Sequence, residues 1–276
     1  MLLTVTALMT STPVNASHAN GHWSAGSYPR SLTVLNSLSS SFGSLGILSA
    51  VRGDWNAGQA KLQLGSTSGA NDAATREACP GNLNWGVVRI CDYNYGATGW
   101  MGKTWPYLSS TGHWDHMVVK VNLYYATTYD LKYSTVCHEL GHALALSERF
   151  SGASCMNVNA TYKFPDAHDF AQIGTNQSHT HSGAPIGTTA TVELLEGDIF
   201  VDWNAPPNGG IAGYELWRSN QSPGGTRNFT LFATTPATSW DDQTAHTLGR
   251  EYCYYAKAKY DYGNSGPSNT ACAVFL

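Results

Sequence analysis

Charge is scarce in this sequence. Only 12% of its 276 residues are Asp, Glu, Lys or Arg, about half the ~25% of an ordinary globular chain. A charge-rich disordered chain and a coiled coil are both excluded. Basic runs are absent and the formal net charge is −4, so the electrostatic footprint of a nucleic-acid binder is missing. No apolar stretch reaches the ~18 residues that cross a bilayer, and no membrane span is expected. No pair of cysteines has CxxC spacing, which argues against a cysteine zinc knuckle or a thioredoxin-like site.

Apolar residues make up 42% of the chain, which is enough to build a core. The length suits one large domain or two small ones. Polarity comes from Ser, Thr, Asn, Gly and Tyr, a composition common in secreted proteins. The six cysteines, Cys79, Cys91, Cys137, Cys155, Cys253 and Cys272, allow about 15 connectivities. Proximity in sequence favours Cys79–Cys91, Cys137–Cys155 and Cys253–Cys272. Disulfides belong to oxidising compartments. Residues 1–21 begin with the apolar run Met1–Met9, with small residues after it at Val14-Asn15-Ala16 and Ser17-His18-Ala19. This segment reads as a signal that lacks its basic start, since the first basic residue is Arg30. An extracellular protein is expected.

Beyond this segment the chain divides into three stretches. Residues 22–173 mix strand and helix patterns. Within them 31–49 reads as a helix with a serine face, 85–90 and 116–125 as strands, 94–100 as a glycine-rich loop and 129–146 as a helix. Residues 174–189 have few large apolar side chains and read as a linker. Its His179 and His181 form an HxH pair, more readily solvated than metal-binding. Residues 190–276 contain short strand-like runs at 191–195, 199–203, 213–218, 230–233, 251–260 and 271–275, separated by turn residues. That spacing argues for an all-β sandwich.

Chemistry concentrates in Cys137-His138-Glu139-Leu140-Gly141-His142-Ala143-Leu144-Ala145-Leu146-Ser147-Glu148. His138 and His142 are four residues apart on an expected helix, so both imidazoles fall on one face within reach of one cation. Zinc held there would acidify water, and Glu139 would act as the general base. A catalytic zinc site takes three protein ligands and keeps one position open. Glu148 is the nearest third candidate, with Asp166, His168 and Asp169 as rivals. Calcium has only unsupported candidates in Asp54, Asp92 and Asn94, which lack a ligand spacing.

With this helix and the residues downstream of it, 22–173 resembles a metzincin zinc metallopeptidase, snapalysin-like in plan. Ser154-Cys155-Met156-Asn157 resembles the family's Met-turn, and 164–170 the start of its closing helix. The resemblance implies a mixed sheet with an active-site helix, and His138 and His142 as zinc ligands. It also implies Glu139 as base, Met156 beneath the metal, and strand 116–125 as the edge on which substrate lies. Tyr162 is a candidate donor to the transition state, with a core role open to it as well. Ala145 stands where the family has glycine. Glu148 stands where it has His or Asp. A Cys137–Cys155 bridge would pin the ligand helix to the Met-turn. Asn157–Pro165 would wall the pocket for the residue after the scissile bond.

Residues 190–276 resemble a fibronectin type III domain, on Val201-Asp202-Trp203, Pro206-Pro207, Ile211–Tyr214, Tyr252–Ala256 and Gly263–Ser268. Trp217, Tyr260 and Tyr262, if exposed, are candidates for gripping a polysaccharide or a surface. The expected fold class is therefore α+β with a β-sandwich after it. The expected function is a secreted, monomeric zinc endopeptidase acting on extended peptide. The alternatives are a catalytically degenerate adhesion protein and a zinc hydrolase of a non-peptide amide or ester.

Overall fold

Alternation of period two, not a helical repeat, governs the chain after Arg30. In the computed structural model, Leu32 and Val34 are buried while Ser31 and Thr33 face out, and Arg30–Ser37 is strand β1. The expected helix over 31–49 is therefore corrected. Apolar residues alternating with polar ones suit a pleated, half-buried surface. Helix begins only at Ser40, where the Ser39 side chain accepts from the Phe42 N–H as an N-cap. The structure describes residues 21–178, 182–193, 197–207, 209–244 and 246–275. The leader reading of 1–21, apart from Gly21, and the pair His179 and His181 lie outside the described residues.

The elements continue as α1 (Ser40–Gly43), α2 (Ile47–Ala57), β2 (Leu62–Ser68), α3 (Ala73–Ala78), β3 (Val87–Tyr93), β4 (Gly102–Leu108), β5 (Trp114–Asn122), α4 (Tyr129–Ala143) and α5 (Ala167–Asn176). The five strands form one sheet in the order β2-β1-β3-β5-β4. β1, β2, β3 and β5 pair in parallel, and β4 pairs antiparallel to β5. The expected edge strand 116–125 is thus corrected: β5 is interior, and β4 and β2 are the edges. Pro106 lies in β4, where an edge strand tolerates its missing N–H. Leu32, Val34, Ile90 and Val119 from the sheet pack with Val51 and Trp55 of α2 and with Val136 and Leu140 of α4 in one core.

The second region comprises β6 (Ile186–Glu193), β7 (Asp198–Asn204), β8 (Gly213–Gln221), β9 (Thr230–Thr235), β10 (Ser239–Asp242), β11 (Glu251–Tyr260), β12 (Gly263–Asn264) and β13 (Ala271–Val274). One sheet runs β10-β7-β6. The other runs β12-β11-β8-β9, with β13 also on β11. All pairings are antiparallel. The region has its own core, built on Ile199, Val201, Trp203, Tyr214, Leu216 and Tyr254. α5 ends at Asn176 and β6 starts at Ile186, so the expected linker shrinks at both ends. Tyr260 belongs to this core rather than to the surface. Trp217 is half-buried, stacked on Tyr255 at 5.9 Å with Lys257 4.9 Å from its ring.

All three bridges are present: Cys79–Cys91, Cys137–Cys155 and Cys253–Cys272. They fit an oxidising compartment. No helix among the described residues is long and apolar enough to cross a membrane.

Candidate metal centre

Helix α4 is fixed at both ends. Thr128 caps its start by accepting from the Leu131 N–H, and Asp130 lies in its first turn. At its end, Ala145 N–H donates to His142 O at 3.0 Å and Leu146 N–H to Gly141 O at 3.1 Å. This is a Schellman closure, which places its terminal residue in the left-handed region. Ala145 has φ of 72°, so an alanine adopts the conformation that favours glycine, at a cost of about 1–2 kcal/mol. The indole N–H of Trp23 donates to Ala143 O at 2.8 Å and that of Trp55 to Cys137 O at 3.1 Å.

The turn after Ala145 brings Glu148 back over the helix. His138 Nε2 and His142 Nε2 are 3.0 Å apart. Glu148 Oε2 is 3.1 Å from the first, and Oε1 is 3.5 Å from the second. A tetrahedral zinc with ligands at about 2.0–2.1 Å holds its ligand atoms about 3.3 Å apart, and this triangle has that size. Each Nδ1 faces a carbonyl, Cys155 O at 2.8 Å for His138 and Leu146 O at 2.9 Å for His142. A carbonyl only accepts, so both Nδ1 atoms carry the proton and both Nε2 lone pairs face the centre. Two lone pairs and a carboxylate converging on one point suit a cation, so the residues present fit a zinc ion.

Electrostatics agree with the geometry. Burial alone would raise the Glu148 carboxyl, but positive charge on His138 and His142, a proton there standing where a cation would, holds it down at about 2. Burial would lower His138, yet Glu148, Glu139 and the Cys155 carbonyl carry it above its ordinary value. Burial pushes the Glu139 carboxyl up, against the pull of both histidines and of Thr104. Glu139 is 4% exposed, and its Oε2 accepts from Thr104 Oγ1 of β4 at 2.6 Å. A Cβ at Gly102 would lie 2.4 Å from Glu139 Oε1, so only glycine lets β4 pass this close to the carboxylate.

Met156 is fully buried. A Cβ at Gly141 would lie 2.2 Å from its sulfur and 2.9 Å from the Trp55 ring. The methionine therefore packs directly on α4. The Cys137–Cys155 bridge ties that helix to the segment whose carbonyl orients His138. A cleft of about 520 Å³ opens over the site between Gly99–Gly102 and Asn157–Thr161, which places the first half of the expected wall 157–165. It is lined by neither Lys nor Arg.

Of the rival ligands, Asp166 and Asp169 each bind Arg149 at 2.8 Å. Asp166 also caps α5, its side chain accepting from the N–H groups of His168 and Asp169. They are committed away from the two histidines, and Arg149 is not the partner of Glu148. Tyr162 is 39% exposed and does not line the cleft, although Ala160 and Thr161 do. The calcium candidates are not gathered. Asp54 accepts from Tyr133, Asp92 from Ser39, and Asn94 from the Gly96 N–H. Thr104 and Gly102 escaped sequence reading because Pro106 hides the strand that carries them.

No family model and no curated protein matches the sequence. Among solved structures, an Fn3-like protein from Clostridium thermocellum is 27% identical over 33% of this chain and 90% of its own, with a TM-score of 0.29. The 6th fibronectin type III domain from human fibronectin type III domain containing protein 3 is 18% identical over 36% of this chain and 91% of its own, also at 0.29. Both likenesses cover about a third of the chain and carry no functional information.

Proposed function

We propose that the chain is a secreted zinc-dependent endopeptidase of metzincin type, carrying a fibronectin type III-like domain at 190–276. The observation that carries the reading is the triangle of His138 Nε2, His142 Nε2 and a Glu148 oxygen, with sides of 3.0 to 3.5 Å, beside the buried Glu139. His138, His142 and Glu148 would hold the ion. Bound zinc acidifies water and polarises a carbonyl.

Glu139 would act as the general base. With Oε2 held by Thr104, Oε1 is the atom left to take a proton from water and pass it to the leaving amine. Burial keeps that carboxylate short of hydration and so more basic. Substrate would lie along the free edge of β4 as an added strand, its backbone supplying the hydrogen bonds. The three bridges support the extracellular assignment.

The test is hydrolysis of labelled casein by oxidised protein of measured zinc content, with and without chelator, beside Glu139→Gln. The expected result is cleavage abolished by chelator and lowered about 10²–10⁴-fold in Glu139→Gln, with zinc content unchanged in the variant. Protein that holds zinc but leaves casein intact would move the reading to a non-peptide amide or ester. Protein that holds no zinc would move it to a degenerate binding protein.

A further inference from the structure

We infer that the C-terminal sandwich latches the far end of the substrate-bearing strand β4, with Asp261 as a positioning residue; this rests on the endopeptidase reading above. Asp261 occupies the two-residue turn between β11 and β12, yet its side chain is only 6% exposed. An aspartate at a hairpin tip belongs in water. This one is covered because it meets the loop joining β4 to β5. Ser109 Oγ donates to its Oδ2 at 2.9 Å and Thr111 Oγ1 at 2.6 Å, while His113 Nδ1 stands 3.6 Å away. Those hydrogen bonds and His113 hold the carboxyl below its usual range although burial works the other way.

The neighbouring Tyr262 completes the contact. Its ring stacks on Tyr260 at 5.2 Å and meets Trp85 at 6.2 Å. It also lies so close over Gly26 that a Cβ there would be 2.7 Å away. The sandwich is thus seated through charge, hydroxyls and aromatic packing at one place.

That place matters because of what the loop is attached to. β4 touches Glu139 at Thr104, and five residues later the chain enters the loop at Ser109. At about 3.3 Å per residue, the latch lies roughly 17 Å along the strand from the base. Among the described residues β4 has a strand partner on one side only, and its outer half is exposed from Pro106 to Leu108. That outer half is held only by β5 and by the hairpin loop 109–113, and thinly held backbone of this kind opens locally at low cost. The sandwich supplies the missing support where a long peptide, but not a short one, would have to pair.

The test uses the full oxidised chain with Asp261→Ala and, from the other side of the contact, Thr111→Val. Kinetics are measured on a peptide long enough to span β4 and on a short reporter, and hydrogen exchange is measured across 102–113. Each variant is expected to speed exchange in 102–113 and raise KM about fivefold for the long peptide, with kcat and the short reporter unchanged. Zinc content should not move. Exchange and KM both unchanged in the two variants would overturn the inference, as would equal losses on long and short substrates. If the wild type cleaves nothing, the endopeptidase reading fails by itself, and exchange in 102–113 still decides whether the latch exists.

Discussion

Each region of the chain buries at least one carboxylate, and two of them, Asp242 and Glu139, are treated in opposite ways. In the sandwich, Asp242 is fully buried and surrounded by donors: Arg218 at 2.8 Å, Tyr254 at 2.6 Å and Thr244 at 2.6 Å. Burial would raise its carboxyl, but these bonds outweigh burial and hold it below the ordinary range. In the first region, Glu139 has one side-chain donor, Thr104, and burial wins, pushing the carboxyl up. A buried charge with a full set of partners stabilises the fold around it. A buried charge left short of partners beside a cleft is costly to keep and is available for proton transfer.

The sharpest way to break this comparison is to remove each carboxylate. Asp242→Ala strands Arg218 and Tyr254 and should lower unfolding free energy by about 3 kcal/mol, with zinc content unchanged. Glu139→Gln should cost little or nothing in stability, because the carboxylate it removes is not stabilised by its surroundings. Chemical denaturation of both variants decides the matter; equal losses would abolish the distinction. A pH series adds a sign. Since the Asp242 carboxyl is depressed in the folded state, its contribution is full above about pH 3.9 and fades as pH falls toward the folded value.

A second contrast lies in the disulfides. Cys137–Cys155 and Cys253–Cys272 close loops of nearly equal span, 18 and 19 residues, so replacing either pair by alanine should cost about 3 kcal/mol. Their positions differ. Cys253 and Cys272 face each other in an existing ladder of β11 and β13, whereas Cys137 and Cys155 join α4 to the loop that orients His138. Only loss of the Cys137–Cys155 pair should weaken zinc retention against a chelator. Identical retention in both variants would remove the positioning role.

The smallest effect is expected at Ala145. Glycine accepts φ of 72° without a Cβ penalty, so Ala145→Gly should raise stability by roughly 0.5–1 kcal/mol after its greater freedom in the unfolded chain is counted. A fall in melting temperature would show that the alanine methyl, which is fully buried, packs better than the turn is strained.

Spacing along one helix is a local property. It was therefore possible to read His138, Glu139 and His142 from the sequence, and Glu148 as the nearest carboxylate. The disulfide pairs were legible for the same reason, each being short in sequence. The strand alternation of 30–37 was masked by serines that are compatible with either period, and β4 by its proline. Thr104 meets Glu139 across 35 residues, Trp55 reaches Cys137 across 82 and Trp23 reaches Ala143 across 120. No local pattern announces such pairs.

By itself the sequence determined which groups are available to bind a cation and roughly where the chain turns, because helix periodicity and capping act within a few residues. Only the tertiary structure decided that Glu148 rather than Asp166 or Asp169 meets the histidines, and that β4 rather than β5 is an edge. It also decided that a turn of the sandwich covers Asp261 beside that strand. Those outcomes depend on packing and hydrogen bonding between segments far apart in sequence, where the chain's own geometry no longer limits which groups can meet.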